Sequence, residues 1–143
     1  MRGDATMADA EAVTSLDGVR RRRPDFDANR VPPNNLEAEE SLLGAMLLSP
    51  SVIETGLSPA DFYRPAHGHI FEAITNLYAR GERPDPVTVA EFLSRDGLLE
   101  AIGGPATLIT LQARTPTIGN AGRYGRIVEE HSVLRRLIRA ARD

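Results

Sequence analysis

Asp61, His67 and His69 are the residues of this chain whose types and closeness could carry a reaction. A carboxylate beside imidazoles can work as a general base with its orienting partner, or supply part of a metal shell. The local pattern points elsewhere. Ser58 suits the cap of a short turn with Pro59 behind it, and Pro65 stands where a helix can open on a residue without an N–H. His67 and His69 then point to different faces of one helix and cannot grip a single ion as an i, i+4 pair would. There is no cysteine to complete a site, and a carboxylate at Asp61 is favoured by the helix dipole that follows it. A small hydrolase built on Asp61 with either histidine lacks a paired nucleophile, a metal shell and an oxyanion site. Packing and capping account for the stretch more simply. Asp61, Phe62, Tyr63, Pro65, His69 and Phe71 are expected to form a structural corner, and no catalytic, cofactor-binding or metal-binding residue is assigned.

Composition removes further chemistry. All 17 basic residues are arginine, so neither a GxxxxGK[ST] phosphate loop nor a lysine Schiff base can be present in this chain. Without cysteine there are no disulfides or thiol nucleophiles, which fits a cytoplasmic protein. No apolar run reaches the length of a membrane span, and Asp9 and Glu11 interrupt the only stretch resembling a signal-peptide core. A net charge of −3 argues against tight duplex binding by electrostatics alone. The run Arg20 to Arg23 lies among aspartates in a segment nearly devoid of large apolar residues, so residues 1–30 are expected to be a disordered tail.

With 143 residues and 5% aromatics, the remainder can hold one modest aliphatic core. Punctuation divides it into helices. Asn35 suits an N-cap, Glu37, Glu39 and Glu40 load the first turns with charge that favours the dipole, and Leu36, Leu43, Met46 and Leu47 mark one face up to Ser49-Pro50. Ser51 to Thr55 reads as a brief helical turn closed by Gly56. From Pro65, the residues Ala66, Ile70, Ile74 and Leu77 recur at helical spacing towards a stop at Gly81. Asp85-Pro86 opens a helix carrying Val89, Phe92 and Leu93 to Gly97. Leu98 to Ile102 forms an apolar turn, Gly103-Gly104-Pro105 resets the direction, and Leu108, Ile109 and Leu111 lie on a helix ending near Thr115-Pro116. The glycine pair lacks the preceding strand of a dinucleotide fingerprint and is read as a turn.

The last segment differs in kind. Tyr124, Ile127, His131, Leu134, Ile138 and Ala141 recur at spacings of three and four and form a heptad seam, on a rod about 26 Å long. Such a seam needs a partner helix and is the candidate self-association interface, two-fold in its simplest closed form. Arg135, Arg136, Arg139 and Arg142 crowd its C-terminal half, where dipole and solvation explain them more readily than contact with phosphate. The expected fold is all-α: a compact bundle of short helices over 31–116, then a long helix over 117–143.

Val31-Pro32-Pro33, Leu36-Glu37-Ala38-Glu39, Leu42-Leu43-Gly44, Asp61-Phe62-Tyr63, His67, His69-Ile70-Phe71, Gly81, Asp85, Thr88-Val89, Gly97, Gly103-Gly104, Pro116, Asn120, Tyr124 and Ile127-Val128-Glu129 occur in an order and spacing that resembles the N-terminal domain of bacterial replicative DNA helicases of the DnaB family. The resemblance runs from Val31 to the C-terminus. It implies a non-catalytic helical collar domain that pairs with itself within a hexameric ring, docks primase in the primosome, and encircles single-stranded DNA through the intact ring. ATP and Mg2+ are implied only for a separate motor domain of the full-length enzyme. It also implies that the terminal helix is the first arm of a helical hairpin, cut here inside that hairpin, and that Asp61, His67 and His69 are structural. The alternative is a stand-alone helical module that binds nucleic acid through the arginine-rich terminal helix.

Overall fold

Three of the helices open on a proline at the first position, where the ring pre-sets the backbone angle and the missing N–H would have had no partner. A computed structural model describes residues 31–49, 55–115 and 118–142. The elements are α1 (Leu36–Leu48), a 3-10 turn at Pro59–Asp61, α2 (Pro65–Ala79), α3 (Pro86–Arg95), a 3-10 turn at Glu100–Ile102, α4 (Pro105–Arg114), a 3-10 turn at Ile118–Asn120, and α5 (Ala121–Arg142). Among the described residues there is no strand, and the fold is all-α as expected. The expected tail over 1–30 and most of the expected turn at Ser51 to Thr55 lie outside the described residues.

Caps follow the sequence grammar. The Asn35 side chain accepts the Ala38 N–H at 3.0 Å, and Asp85 accepts the Thr88 N–H at 2.8 Å while Thr88 Oγ1 accepts the Asp85 N–H at 3.0 Å. Gly81 and Gly97 take φ of 81° and 72° just beyond α2 and α3, a conformation open to glycine at little steric cost. The following N–H groups then reach back, from Glu82 to the Leu77 carbonyl at 2.9 Å and from Leu98 to Leu93 at 2.8 Å. α1 ends without such a glycine. Two of its last carbonyls are satisfied from a distance, Leu47 by Gln112 Nε2 at 3.1 Å and Leu48 by Arg83 Nη2 at 3.2 Å.

α1 to α4 close a circuit in which α1 packs on α2 and α4, and α3 bridges α2 to α4. The core at its centre is aliphatic: Leu42, Leu43, Met46 and Leu47 meet Ile70, Ile74, Val89, Leu93 and Leu108, all essentially inaccessible to water. α1 and α4 approach closely at Gly44, where a Cβ would overlap Thr115 Oγ1 and the Leu111 carbonyl. Ile109, placed by its spacing on the apolar face of α4, instead faces outward and is 59% exposed. The four-residue cycle of α4 is filled by Leu108 and Leu111, which leaves no core position for it.

α5 is docked by a narrow line of residues. Ala121, Val128, Ser132 and Arg135 are its buried positions, and Tyr124 and Ile127 pack half-buried beside them against the core. The proposed seam therefore does not act as one free stripe: its N-terminal half already has an intramolecular partner. His131 Nδ1 donates to the Ile127 carbonyl at 2.9 Å within the helix. Further along, Leu134 is 46% exposed, Ile138 is half-buried and Ala141 is exposed, while Leu137 and Val133, outside the seam, are also exposed.

Candidate functional site

The corner between the Pro59–Asp61 turn and α2 gathers most of the buried polar side chains of the domain. Phe62 anchors it from within: the ring is 6% exposed and lies 4.9 Å, centroid to centroid, from Phe71, tilted by 39°. Its neighbours Tyr63 and Arg64 turn the chain into α2 and expose backbone N–H groups that no helix can satisfy.

Those groups are met by Glu39 of α1. One carboxylate oxygen accepts the Tyr63 N–H at 2.6 Å, while the other lies 2.7 Å from His67 Nδ1 and 3.5 Å from the Arg64 nitrogen. With backbone donors already on the carboxylate, the shared hydrogen of the imidazole contact is carried on Nδ1. Glu39 is 2% exposed and His67 is 4% exposed. First-turn placement accounts for a charge that favours the dipole of α1; the carboxylate is also a buried receptor for the corner. The residue stands three, four and seven positions before Leu42, Leu43 and Met46, so the helix that buries those leucines buries it as well.

From the other side comes α5. Arg135 is buried, and its Nη1 donates to the Pro33 carbonyl at 2.8 Å while Nη2 donates to the Asp61 carbonyl at 2.7 Å. Its guanidinium also lies 5.5 Å from the centre of the Tyr63 ring. Asp61 is the centre of this half. Its Oδ1 accepts from the Ser132 hydroxyl at 2.7 Å and from Arg136 Nη1 at 3.1 Å, and its Oδ2 accepts the Ser58 N–H at 2.8 Å. Ser132 Oγ in turn accepts from Arg136 at 2.8 Å.

The titration behaviour follows from these contacts. Burial raises the Asp61 pKa, but the hydrogen bonds from Ser132, the Ser58 backbone and Arg136 outweigh it and leave the carboxyl below its ordinary value. Burial draws the Arg135 guanidinium down, opposed by the charge of Glu39. A guanidinium starts so high that it stays cationic at any physiological pH.

Of the expected corner residues, Phe62 packs against Phe71, Asp61 and Tyr63 lie in the bend between the 3-10 turn and α2, Pro65 is exposed at the start of α2, and His69 is half-buried. His67 and His69 do not share a site, since the first turns inward to Glu39. Glu39, Ser132 and Arg135 were missed as members. Dipole and solvation had been the favoured account of the terminal arginines, yet Arg135 and Arg136 serve as intramolecular donors. Chemically the cluster is a clasp: its carboxylate oxygens are filled by donors, its one buried hydroxyl gives its hydrogen to Asp61, and its imidazole is held by Glu39 rather than by that hydroxyl. Among the described residues, no three His, Cys, Asp or Glu side chains converge as a metal site would require, and no helix is long and apolar enough to cross a membrane.

The family model described as the DnaB-like helicase N-terminal domain matches residues 31–130, from the Pro33 side of the clasp into α5. The chain belongs to this family. It is 51% identical over 137 residues to the replicative DNA helicase DnaB of Mycobacterium leprae, covering 94% of this chain and 22% of that protein. The DnaB of Geobacillus stearothermophilus is 47% identical over 117 residues, covering 80% and 26%. The fold is also that of a solved relative, the crystal structure of the N-terminal domain of DnaB helicase from Mycobacterium tuberculosis, with a TM-score of 0.74, 51% identity, and coverage of 78% of this chain and 83% of that one. The chain thus spans about a quarter of the length of the helicases it matches; the region matched by the family model holds Pro33, Glu39, Asp61 and His67 of the clasp, and Ser132, Arg135 and Arg136 lie just beyond it.

Proposed function

We propose that this chain is the non-catalytic collar domain of a hexameric replicative DNA helicase, pairing with copies of itself during ring assembly and docking primase. The observation that carries it is the family match across residues 31–130 together with an apolar strip left in solvent on α5, where Leu134, Leu137 and Val133 are exposed side by side in helical phase. Self-association is the economical use of such a strip, because an isologous two-fold contact covers it on both copies. ATP, Mg2+ and single-stranded DNA belong in this proposal to the assembled full-length enzyme. The chain has no lysine to build a phosphate loop of its own.

A stand-alone nucleic-acid module is less well supported. Arg135 and Arg136 already donate to Pro33, Asp61 and Ser132, which withdraws half of the arginine cluster from phosphate. Sedimentation over a wide concentration range, with and without the C-terminal domain of primase, tests the collar role. The expected result is reversible dimerisation lost in Leu134→Asp/Leu137→Asp, and a mass increase with primase. A monomer at high concentration that binds single-stranded DNA with a steep salt dependence would replace it with the alternative.

A further inference from the structure

α5 is attached to the body in an unusual manner for a helix of its length. At 1.5 Å per residue it spans about 33 Å, yet beyond Val128 its buried positions are the polar side chains Ser132 and Arg135. No helix of the body runs closely alongside it. What holds its middle is a set of hydrogen bonds to Asp61 and to the Pro33 and Asp61 carbonyls. Its first turns, by contrast, contain Gly122 and Gly125, and a Cβ at either would meet open space. Packing therefore does not require glycine there, and each weakens the helix by about 1 kcal/mol relative to alanine.

We infer that α5 is a lever: a weak helical start around Gly122 and Gly125 acts as its hinge, and the contacts of Ser132, Arg135 and Arg136 with Asp61 and Pro33 form a polar latch that sets its angle and can open without unfolding the body. A few directional bonds to one carboxylate and two carbonyls are either made or exchanged for water, which gives the helix two positions. Among the described residues, α5 adds Ala121 and Val128 to the core of α1 to α4 as fully buried members, with Tyr124 and Ile127 half-buried beside them. Swinging α5 about Gly122 and Gly125 takes Ile127 and Val128 with it, so the apolar surface exposed is that of one valine and part of one isoleucine, and the core of α1 to α4 stays closed.

The absence of cysteine permits a direct test in the intact chain. Spin labels at Glu72→Cys on α2 and Arg139→Cys on α5, both exposed positions, are diluted into excess unlabelled protein so that only distances within one chain are read. The latched protein should give one narrow distance distribution. Ser132→Ala/Arg135→Gln/Arg136→Gln should broaden it, with cooperative urea unfolding and helical circular dichroism retained, and adding Gly122→Ala/Gly125→Ala should narrow it again. Amide exchange supplies a gentler version: Ser132→Ala alone should speed exchange over 133–141 by about tenfold and leave 42–47 unchanged. A narrow distribution in the triple variant overturns the lever, because something other than the latch then holds α5. Loss of cooperative unfolding also overturns it, since the helix would then be part of the core.

Discussion

Replacing Glu39 by alanine separates the two roles a first-turn glutamate can have. A solvated carboxylate that only complements the dipole of α1 would contribute about 0.3–1 kcal/mol. The buried carboxylate instead receives the Tyr63 N–H at 2.6 Å and faces His67 Nδ1 at 2.7 Å. The contact to Arg64 at 3.5 Å is too long to weigh heavily. Two donors left without a partner cost about 1–3 kcal/mol each, so Glu39→Ala should destabilise by about 4 kcal/mol, a large share of the stability of an ordinary domain. With a urea m-value of about 2 kcal/mol/M, the midpoint should fall by about 2 M. Glu39→Gln should cost less, about 1–2 kcal/mol, because its carbonyl still accepts the Tyr63 N–H and the imidazole can change tautomer to meet the amide. Chemical denaturation of the three proteins under one buffer decides it. If Glu39→Ala lies within about 1 kcal/mol of the parent, the carboxylate is serving the dipole and the corner is held by other means.

Phe62→Ala should cost about 3–5 kcal/mol, since the ring is 6% exposed and packed against Phe71, and the same denaturation assay reads it. Gly44→Ala should destabilise by about 1–3 kcal/mol despite the better helix propensity of alanine, because the new methyl must push α4 from α1. Gly122→Ala, with open space around the new atom, should stabilise by up to about 1 kcal/mol, so a common sign for the two changes would contradict the close approach at Gly44. Acid titration tests Asp61: its folded pKa lies below the unfolded value, so its contribution is complete above the ordinary aspartate range and is lost as pH falls through the folded value. Asp61→Asn should flatten that limb of the stability profile, and an unchanged limb would mean the Ser132 and Arg136 contacts do not favour the charged form.

The helices were readable because their ends are written locally. Asn35, Asp85, Pro65, Pro86, Pro105, Gly81 and Gly97 each act on backbone within a few residues, and the apolar spacing between them gave the α-class and most of the core. The clasp was harder to read because its partners lie far apart in sequence. Arg135 meets Pro33 and Asp61 across separations of 102 and 74 residues, and no local rule distinguishes such an arginine from its solvated neighbours. A usable signal was present nonetheless. Arg135 and Ser132 fall in helical phase with Val128, and Glu39 falls in phase with Leu42 and Leu43, so each polar side chain stands on a buried line. A charge in phase with a core stripe marks a buried partner better than a charge counted by its distance from a helix end. The free strip around Leu137 was missed for the opposite reason: a heptad drawn through Tyr124 and Ile127 fixed a phase those residues take towards the core rather than towards solvent.

The long separations within the clasp also order events during synthesis. The body is closed by neighbouring helices, α1 to α4, and can collapse once Arg114 has left the ribosome, because its contacts join segments already made. Asp61 must then wait, with its turn formed by Ser58 but its outer oxygen open to water, until Ser132 and Arg136 emerge 71 and 75 residues later. Loop closure over such distances grows only logarithmically, by about 0.6 kcal/mol for each doubling of length, so the delay is one of timing more than of free energy. The acidic corner is thus a receptor prepared in advance for α5, a helix synthesised some seventy residues after it.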